Sequence, residues 1–439
     1  MTRLLDSLMD EAFAAARPQR YGQVTQMVGM SIEVAGIPAA IGDGLLLLAG
    51  DCQVHAEVVA IRDDKVVCLP FGEIMGLRAG TRVIALGGPL SVRVGPGLLG
   101  RILDGFGRPL DDGPAIFGCN VSVAGVPPHP LRRGVVSEQL PLGVRVLDGL
   151  IPCGKGQRLG IFAGSGVGKS SLMSMVTRGT SADVSVVALI GERGREVAEF
   201  IERDLGPEGL ARSVVLVATS DAPAVMRIRA AFTATRIAEW FRDQGNDVLL
   251  MMDSLTRFAM AQREVGLAAG EPPATRGYPP SVFGLLPRLL ERAGRSEKGS
   301  ITGLYTVLVE GDDMNEPIAD TARSILDGHI QLSRALAESN HYPAVDVLGS
   351  ISRVAPAVAR EEHLKVGGAV RELLAAWRDA KDLIEIDAYV AGTNPVVDRA
   401  VRLKPKIDAF CKQSLTEVTD LDAALQGLTA IVSSDEPTQ

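Results

Sequence analysis

LGIFAGSGVGKS, at residues 159–170, is the stretch that determines the fold of the middle of this 439-residue chain. An apolar run typical of a buried strand leads into a glycine-rich turn, and Lys169 and Ser170 then open a helix. Glycines let successive backbone N–H groups converge on an anion, and the N-terminus of the helix adds partial positive charge. The stretch therefore predicts a phosphate-binding loop between a strand and a helix.

The loop residues are predicted to bind the nucleotide. Lys169 is expected to neutralise the terminal phosphates, and the Ser170 hydroxyl is expected to ligate Mg²⁺. The first motif position is alanine rather than glycine, but Gly168, Lys169 and Ser170 are kept. A chance glycine turn is the alternative, and the strand and helix around the motif argue against it. The predicted nucleotide-binding residues of the loop are Ala163, Gly164, Ser165, Gly166, Val167, Gly168, Lys169, Ser170 and Ser171.

A second apolar run, DVLLMMD at residues 247–253, ends in Asp253. Open α/β sheets bind their ligands at the carboxyl edge of the strands, where this carboxylate is expected to lie. Asp253 is therefore predicted to hold Mg²⁺, through water, beside Ser170. A helix N-cap is the alternative, and it would be the better interpretation without the glycine-rich loop.

A third apolar run, at residues 186–190, is followed by a glycine, Glu192 and Arg193. Hydrolysis needs a group that orients and polarises the attacking water near the γ-phosphate, and a carboxylate at a strand tip beside the loop suits that task. Glu192 is predicted to be this catalytic group. Arg193 is predicted to contact the γ-phosphate or to position Glu192, while Arg195 and Glu196 are expected to form a solvated ion pair.

The whole chain divides into four predicted parts. Residues 1–20 place apolar side chains on one stripe of a helix, which either packs on its own domain or docks a partner. Residues 21–95 alternate short strands with turns and predict a small β-barrel. Residues 96–360 alternate apolar runs with amphipathic stretches, as a mainly parallel α/β sheet requires. Residues 361–439 are charged and helical, with a polar tail that is expected to be disordered.

Composition and charge argue against several classes of protein. Forty-five basic and fifty-three acidic residues give a net charge of −8, and only 4% of residues are aromatic, which disfavours a nucleic-acid-binding surface. The five cysteines have no metal-ligand or redox spacing, as expected of reduced side chains in the cytosol. The apolar runs are far shorter than the roughly 20 residues that a membrane helix needs.

Three longer motifs extend the pattern, namely LLGRILDGFGRPLD at residues 98–111, RGYPPSVF at 276–283 and VEGDDMNEPIAD at 309–320. With them, over almost its whole length, the chain resembles the hexameric rotary ATPases that are related to the catalytic subunits of ATP synthase. Within that family it is most similar to the ATPases of flagellar and type III secretion protein export. The resemblance implies a RecA-like P-loop core, ATP and Mg²⁺ as substrate and cofactor, and a homohexameric ring.

The resemblance also implies two roles that residue spacing does not assign. Arg353, in SISRV at residues 350–354, matches the arginine finger that reaches into the neighbouring subunit's site and stabilises the transferring phosphoryl group. Tyr342, in HYPAVD at residues 341–346, matches the residue whose ring packs against adenine. A surface arginine and a core tyrosine are the alternatives. The same arginine is also consistent with a ring in which this chain alternates with another kind of subunit.

The same resemblance implies partners and a location. The helix at residues 1–20 would dock a stator-like negative regulator. Export-gate membrane proteins, a stalk protein and chaperone–substrate complexes would bind elsewhere on a cytoplasmic ring that associates peripherally with the membrane. Chaperones and substrates would face the C-terminal helices, where Asp387 stands at a position expected to be glycine. No nucleic-acid partner is expected.

Flagellar export is the favoured function, because MNEPIAD at residues 314–320 is closer to that branch of the family. The ATPase of a virulence secretion system is the first alternative. The catalytic subunit of a proton-translocating ATPase is a second, which YPPSVF at residues 278–283 and MNEP at 314–317 disfavour. An RNA-translocating hexameric helicase is a third, which the acidic charge and the few aromatic residues disfavour.

Overall fold

The computed structural model describes residues 21–434 except Asp51, Glu73, Glu310 and Asp312. Their contacts separate two compact units. One contains the described residues up to 91 together with 223–225 and 264–272, and the other contains the remainder. The helix predicted over residues 1–20 and the end of the polar tail, at residues 435–439, lie outside the described residues.

Six strands of the first unit form a closed antiparallel barrel. They are β1 Tyr21–Val28, β2 Ser31–Ala35, β3 Asp43–Ala49, β4 Cys52–Arg62, β5 Lys65–Pro70 and β6 Arg82–Pro89. Their spatial order is β1–β2–β5–β4–β3–β6, so the predicted β-barrel is confirmed. Asp63 and Asp64 join β4 to β5 with φ of 44° and 62°, which gives the two-residue turn whose twist suits a hairpin. Inward aliphatic side chains such as Leu45 and Leu47 fill the barrel.

A mainly parallel sheet forms the centre of the second unit. The remaining strands of the chain are β7 Ser91–Val94, β8 Ile102–Asp104, β9 Cys119–Ser122, β10 Arg158–Ala163, β11 Val184–Ile190, β12 Ser213–Ala218, β13 Asp247–Asp253, β14 Gly294–Arg295, β15 Ser300–Leu308, β16 Gly328–Leu332 and β17 Val345–Ser352. The order in the sheet is β17–β16–β10–β15–β13–β11–β12–β8, with β14 beside the start of β15. Only the β16–β17 and β14–β15 pairs of this sheet are antiparallel in the described part of the chain. β7 and β9 pair separately.

Helices cover the sheet and form the C-terminal end. They are α1 Arg145–Leu150, α2 Lys169–Gly179, α3 Gly194–Glu199, α4 Gly206–Ala211, α5 Ala224–Asp243, α6 Leu255–Ala268, α7 Pro280–Leu290, α8 Pro317–Ile325, α9 Arg334–Glu338, α10 Ala355–Val358, α11 Glu361–Glu385, α12 Pro395–Cys411 and α13 Leu421–Ser433. Short 3-10 turns lie at Pro96–Leu98, Pro130–Arg132 and Thr275–Gly277, and a π-helical turn at Phe200–Leu205. Among the described residues, none of the helices combines the length and the apolar character needed to cross a membrane.

The last three helices share the hydrophobic core of the sheet. Leu373 of α11, Leu403 of α12 and Leu428 of α13 are buried in the same cluster as the strand side chains. The α/β core, the N-terminal barrel and the helical C-terminal end together confirm the predicted fold class. Asp387, just after α11, has φ of 53°, in the left-handed region that favours glycine. This backbone explains why the resemblance places a glycine there.

Candidate active site

The glycine-rich loop joins β10 to α2 at one edge of the sheet. β10 is a central strand, parallel to β15 on one side and to β16 on the other. Gly166 and Gly168 have φ of 78° and 94°, a backbone conformation that residues with a side chain rarely adopt. The turn therefore depends on glycine at both positions. Lys169 is the first residue of α2, where the unpaired N–H groups and the helix dipole favour an anion.

Three charged side chains from three strand ends meet at the mouth of this loop. Lys169 Nζ lies 2.5 Å from Asp253 Oδ1 and 3.4 Å from Glu192 Oε1. The Thr306 hydroxyl on β15 donates to the same Asp253 oxygen at 2.7 Å. Asp253 is only 4% exposed, so this carboxylate is held by both partners away from bulk water. The strands are parallel, so their carboxyl ends lie at one edge, and the structure brings the three predicted residues together.

The charged groups in this cluster shift the pKa values of Lys169 and Glu192. Burial and the negative charge of Asp253 raise the pKa of Glu192 to about 7, against the opposing effect of Lys169. Burial alone would lower the pKa of Lys169, but the charges of Asp253 and Glu192 outweigh it and raise that pKa above its ordinary value. Lys169 is therefore a cation at any working pH, while Glu192 changes charge near neutrality. A carboxyl group with such a pKa is suited to accept a proton.

A cavity of about 660 Å³ opens over the loop. Its volume lies within the range of small-molecule sites in proteins, which is about 300–1,000 Å³. The predicted residues that line it are Gly164, Ser165, Gly166, Gly168, Lys169, Ser170, Ser171, Glu192 and Arg193. Ala163 and Val167 are predicted to bind nucleotide as well, but their side chains are buried in the core of the sheet.

The arginines after β11 pair differently from the prediction. Arg193 lies 3.6 Å from Glu196, and Arg195 lies 3.4 Å from Glu199. The expected ion pair between Arg195 and Glu196 is therefore wrong. Because α3 begins at Gly194, residues three or four apart share a helix face and adjacent residues do not. Arg193 still lines the cavity, with its side chain 82% exposed.

Two further arginines of the cavity wall were missed by the sequence reasoning. Arg257 stands four residues after Asp253, on the first turn of α6, and its side chain passes against Gly191, where an added Cβ would lie 2.9 Å from the Arg257 Cβ. Arg334 follows β16 and its guanidinium donates to the Ser165 carbonyl at 3.5 Å. Both follow strands that end at the edge of the loop, which is the sequence signal that identifies them.

Tyr342 lies beside the loop. A Cβ added to Gly168 would come within 3.2 Å of the Tyr342 ring, and the tyrosine is 38% exposed, so its ring also faces solvent. The Gln413 backbone N–H donates to the Tyr342 carbonyl at 3.0 Å, which ties this segment to the residues after α12. A second cavity, of about 280 Å³, is lined by Tyr342, Lys412 and Gln413 among others. The geometry permits a base to stack on the ring while its phosphates occupy the loop.

Arg353 lies at the opposite edge of the sheet from the loop. β17 runs antiparallel to β16, so that Val345 pairs with Leu332 near the loop while Ser352 pairs with Gly328. The four steps from Gly328 to Leu332 span about 13 Å at ~3.3 Å per residue. The exposed Arg353 side chain is not part of the cavity wall described above. The structure therefore does not bring Arg353 into the site of its own chain.

Comparison with known proteins agrees with this architecture. Residues 143–352 match the nucleotide-binding domain of the ATP synthase alpha/beta family, residues 24–87 its beta-barrel domain, and residues 359–430 the T3SS EscN ATPase C-terminal domain. A flagellum-specific ATP synthase of Bacillus subtilis is 51% identical over 95% of this chain and 96% of its own length. A type 3 secretion system ATPase of Xanthomonas euvesicatoria is 50% identical over 98% of each chain.

Solved structures show the same likeness. The assembled ATPase EscN from the type III secretion system of enteropathogenic E. coli is 47% identical, with a TM-score of 0.89 over 94% of this chain and 100% of that one. EscN in complex with its central stalk EscO gives a TM-score of 0.88 at the same identity and coverage. Identity at this level along nearly the full length makes the chain an ATPase of the ATP synthase alpha/beta family, in the group formed by the flagellum-specific and type III secretion ATPases.

Proposed function

We propose that this ATPase hydrolyses Mg·ATP between neighbouring copies of itself in a homohexameric ring and energises protein export at a flagellum. The observation that carries the catalytic part is the position of Lys169 Nζ between Asp253 and Glu192 at the end of the glycine-rich loop. A cation is thus held where terminal phosphates would lie, with a carboxylate of near-neutral pKa beside it. Those are the parts that phosphoryl transfer to water requires.

The residues at this edge fit Mg²⁺. In nucleotide sites this ion takes one or two protein oxygens, the substrate phosphates and several waters. The Ser170 hydroxyl stands at the start of α2 and lines the cavity. The two side-chain hydrogen bonds that Asp253 accepts in the described part of the chain both reach Oδ1, which leaves Oδ2 for a water of the ion's shell. When bound, Mg²⁺ would neutralise charge on the phosphates.

The protein residues then divide the remaining work. Lys169 balances the charge of the terminal phosphates, and Glu192 in its unprotonated form orients the attacking water and accepts its proton. Arg257, Arg334 and Arg193 add positive charge around the cavity where negative charge develops. Tyr342 supports the adenine.

The pH dependence of turnover tests the role of Glu192. Because the unprotonated carboxylate is the active form and its pKa is about 7, kcat/KM should fall about tenfold per pH unit below that value and level off above it. The measurement is steady-state hydrolysis at saturating Mg²⁺ between about pH 5.5 and about pH 9. The matched control is Glu199→Gln, at the end of α3, the helix that follows Glu192; Glu199 pairs with Arg195, so this variant should keep the same acid limb. A kcat/KM that does not fall between about pH 7 and about pH 5.5 would remove Glu192 from this role.

Two features of the single chain support a ring of identical copies, namely the position of Arg353 and a set of exposed apolar side chains. Arg353 faces away from its own site, so an arginine finger here must act on a neighbour. Large apolar side chains, including Leu131 and Val135, are almost fully exposed in the segment that leads to Val136. Val136 and Val354 both crowd around Gly154, which places this segment beside Arg353. Exposed apolar side chains of this kind are typical of a surface that a neighbour covers.

We infer that the chain works at a flagellum, because the MNEPIAD motif at residues 314–320 is closer to the flagellar branch of the family. A stator-like negative regulator would bind the apolar stripe predicted for residues 1–20, including Leu4 and Leu8, because a short helix that carries such a stripe must bury it on something. Export-gate membrane proteins, a stalk protein and chaperone–substrate complexes would complete the assembly at the cytoplasmic face of the membrane. Exposed Ile386 and Val390, between α11 and α12, offer apolar surface for such partners.

Changing the stripe without removing the segment tests this assignment. The double variant Leu4→Ser/Leu8→Ser should lose the partner that co-purifies with the full chain, while basal ATPase activity and thermal stability stay unchanged. Asp6→Ser/Asp10→Ser, on the polar side of the same stripe, is the matched control and should keep the partner. Mass spectrometry of the partner then assigns the machine: flagellar components support the proposal, and virulence-system components contradict it. Lower thermal stability of the Leu4/Leu8 variant would mean that the stripe packs on its own domain.

A further inference from the structure

A fully buried glutamine contacts the residue before Arg353 and the carbonyl group that accepts from the Arg353 N–H. Gln157, in the loop before β10, is 0% exposed. Its Nε2 donates to the Ser352 hydroxyl at 3.0 Å and to the Asp327 carbonyl at 3.1 Å, while its Oε1 accepts from the Gly154 N–H at 2.9 Å. Ser352 directly precedes Arg353 in the chain.

Asp327 completes the attachment. Its carbonyl oxygen, which Gln157 binds, also accepts from the Arg353 N–H at 2.9 Å. The Arg158 guanidinium donates two hydrogen bonds to the Asp327 carboxylate, with Nε and Nη2 each 3.0 Å from a carboxylate oxygen. Such a bidentate pair fixes orientation as well as distance. Asp327 therefore links the Arg353 backbone to Arg158, the first residue of β10, and to Gln157 just before it.

Arg353 has a long, exposed side chain, and the way its backbone is held sets the reach of that side chain. Where the guanidinium of Arg353 can arrive in a neighbouring copy depends on where its backbone is fixed, and a misplacement of about 1 Å at a reacting centre can cost on the order of 100-fold in rate. β10 ends in the glycine-rich loop, so one strand carries the chain's own phosphate site at one end and the anchor of Arg353 at the other.

We propose that Gln157 is a positioning residue for the neighbouring copy's ATP site, acting through Ser352 and Asp327 on the placement of Arg353. This inference rests on the proposed role of Arg353 as a finger that acts between copies. It predicts an unusual pattern, because a residue in the loop next to β10 should matter little for nucleotide binding in its own chain and strongly for turnover in the next.

The test compares three variants of buried polar side chains. Gln157→Leu removes every side-chain hydrogen bond of Gln157, and Ser352→Ala removes only the hydroxyl that joins Gln157 to the segment of Arg353. Thr302→Val is the matched control: the Thr302 hydroxyl accepts from the Gly156 N–H at 2.8 Å, so it supports the same loop from β15 without touching the Arg353 side. Kinetics and nucleotide affinity are measured for each as the full chain.

We expect kcat to fall by about 10- to 100-fold in Gln157→Leu and by less in Ser352→Ala, with KM and nucleotide affinity unchanged. Thr302→Val should stay close to the parent. The decisive measurement is ATP hydrolysis by mixed rings that contain Lys169→Ala subunits and subunits of one other variant. Each kind of subunit carries its own tag, and rings that contain both are purified on the two tags. The Lys169→Ala subunits cannot turn over ATP but keep a well-placed Arg353, so they should restore hydrolysis at the intact loops of Gln157→Leu subunits.

Two failures can be told apart. If Lys169→Ala subunits restore activity to Arg353→Ala subunits but not to Gln157→Leu or Ser352→Ala subunits, Gln157 acts within its own chain and the inference is overturned. If Arg353→Ala subunits are not restored either, the finger role proposed above fails, and the inference falls with it. Should Gln157→Leu not fold, Ser352→Ala, which removes a single hydroxyl, carries the same comparison.

Discussion

Lys169→Ala should abolish both turnover and tight binding of Mg·ATP. The ammonium lies between Asp253 and Glu192, 2.5 Å from the first and 3.4 Å from the second. Removing it leaves the buried Asp253 and the partly exposed Glu192 facing the phosphates with no compensating charge, so repulsion replaces attraction. We expect kcat/KM to fall by at least about 10³-fold, equivalent to about 4 kcal/mol of lost transition-state stabilisation.

Glu192→Gln should separate catalysis from binding. The amide keeps the shape of the side chain but cannot accept a proton, so turnover should fall by a similar factor while a fluorescent nucleotide binds as before. Arg195→Ala is the control for both variants, because Arg195 belongs to the same strand end but pairs with Glu199 outside the cavity wall. Full activity of Glu192→Gln would exclude it as the catalytic carboxylate, and normal binding to Lys169→Ala would contradict the phosphate role of the loop.

The main parts of the site could be predicted from sequence because they depend on local patterns. A glycine-rich turn between a strand and a helix has few structural outcomes, and parallel strands bring their carboxyl ends to one edge. Lys169, Glu192 and Asp253 therefore meet where their strand positions imply. The barrel could be predicted for a similar reason, since the Asp63–Asp64 turn and the alternating strands around it specify a hairpin.

Residues whose roles depend on contacts between distant segments could not be predicted. Arg257 reaches the cavity because Gly191 leaves room for its side chain, and no pattern near Arg257 reveals that space. The partners of Arg193 and Arg195 depended on the first residue of α3, which sequence places only to within a turn. Gln157 looks like any polar loop residue until the register of β16 and β17 brings Ser352 and Asp327 to it.

Arg353→Ala should reduce turnover by about 10³-fold or more while leaving nucleotide binding intact, as expected when a charge-stabilising arginine is withdrawn from phosphoryl transfer. The physical reason lies in the geometry of the sheet, which places Arg353 at the edge away from its own loop and outside the cavity wall. Arg360→Ala is a suitable control, because it removes an arginine a few residues further along the chain at the start of α11. A small effect of Arg353→Ala would identify it as an ordinary surface arginine.

The claim that one ATP site is built by two copies of the chain is tested most directly by mixing two inactive variants. Lys169→Ala subunits retain Arg353, and Arg353→Ala subunits retain the loop and Glu192, so a ring that contains both kinds forms complete sites where the two adjoin. Co-assembled rings should recover hydrolysis, with a maximum near equal proportions of the two variants. Activity that stays at the level of the separate variants at every ratio, in rings shown to contain both, would contradict the shared site.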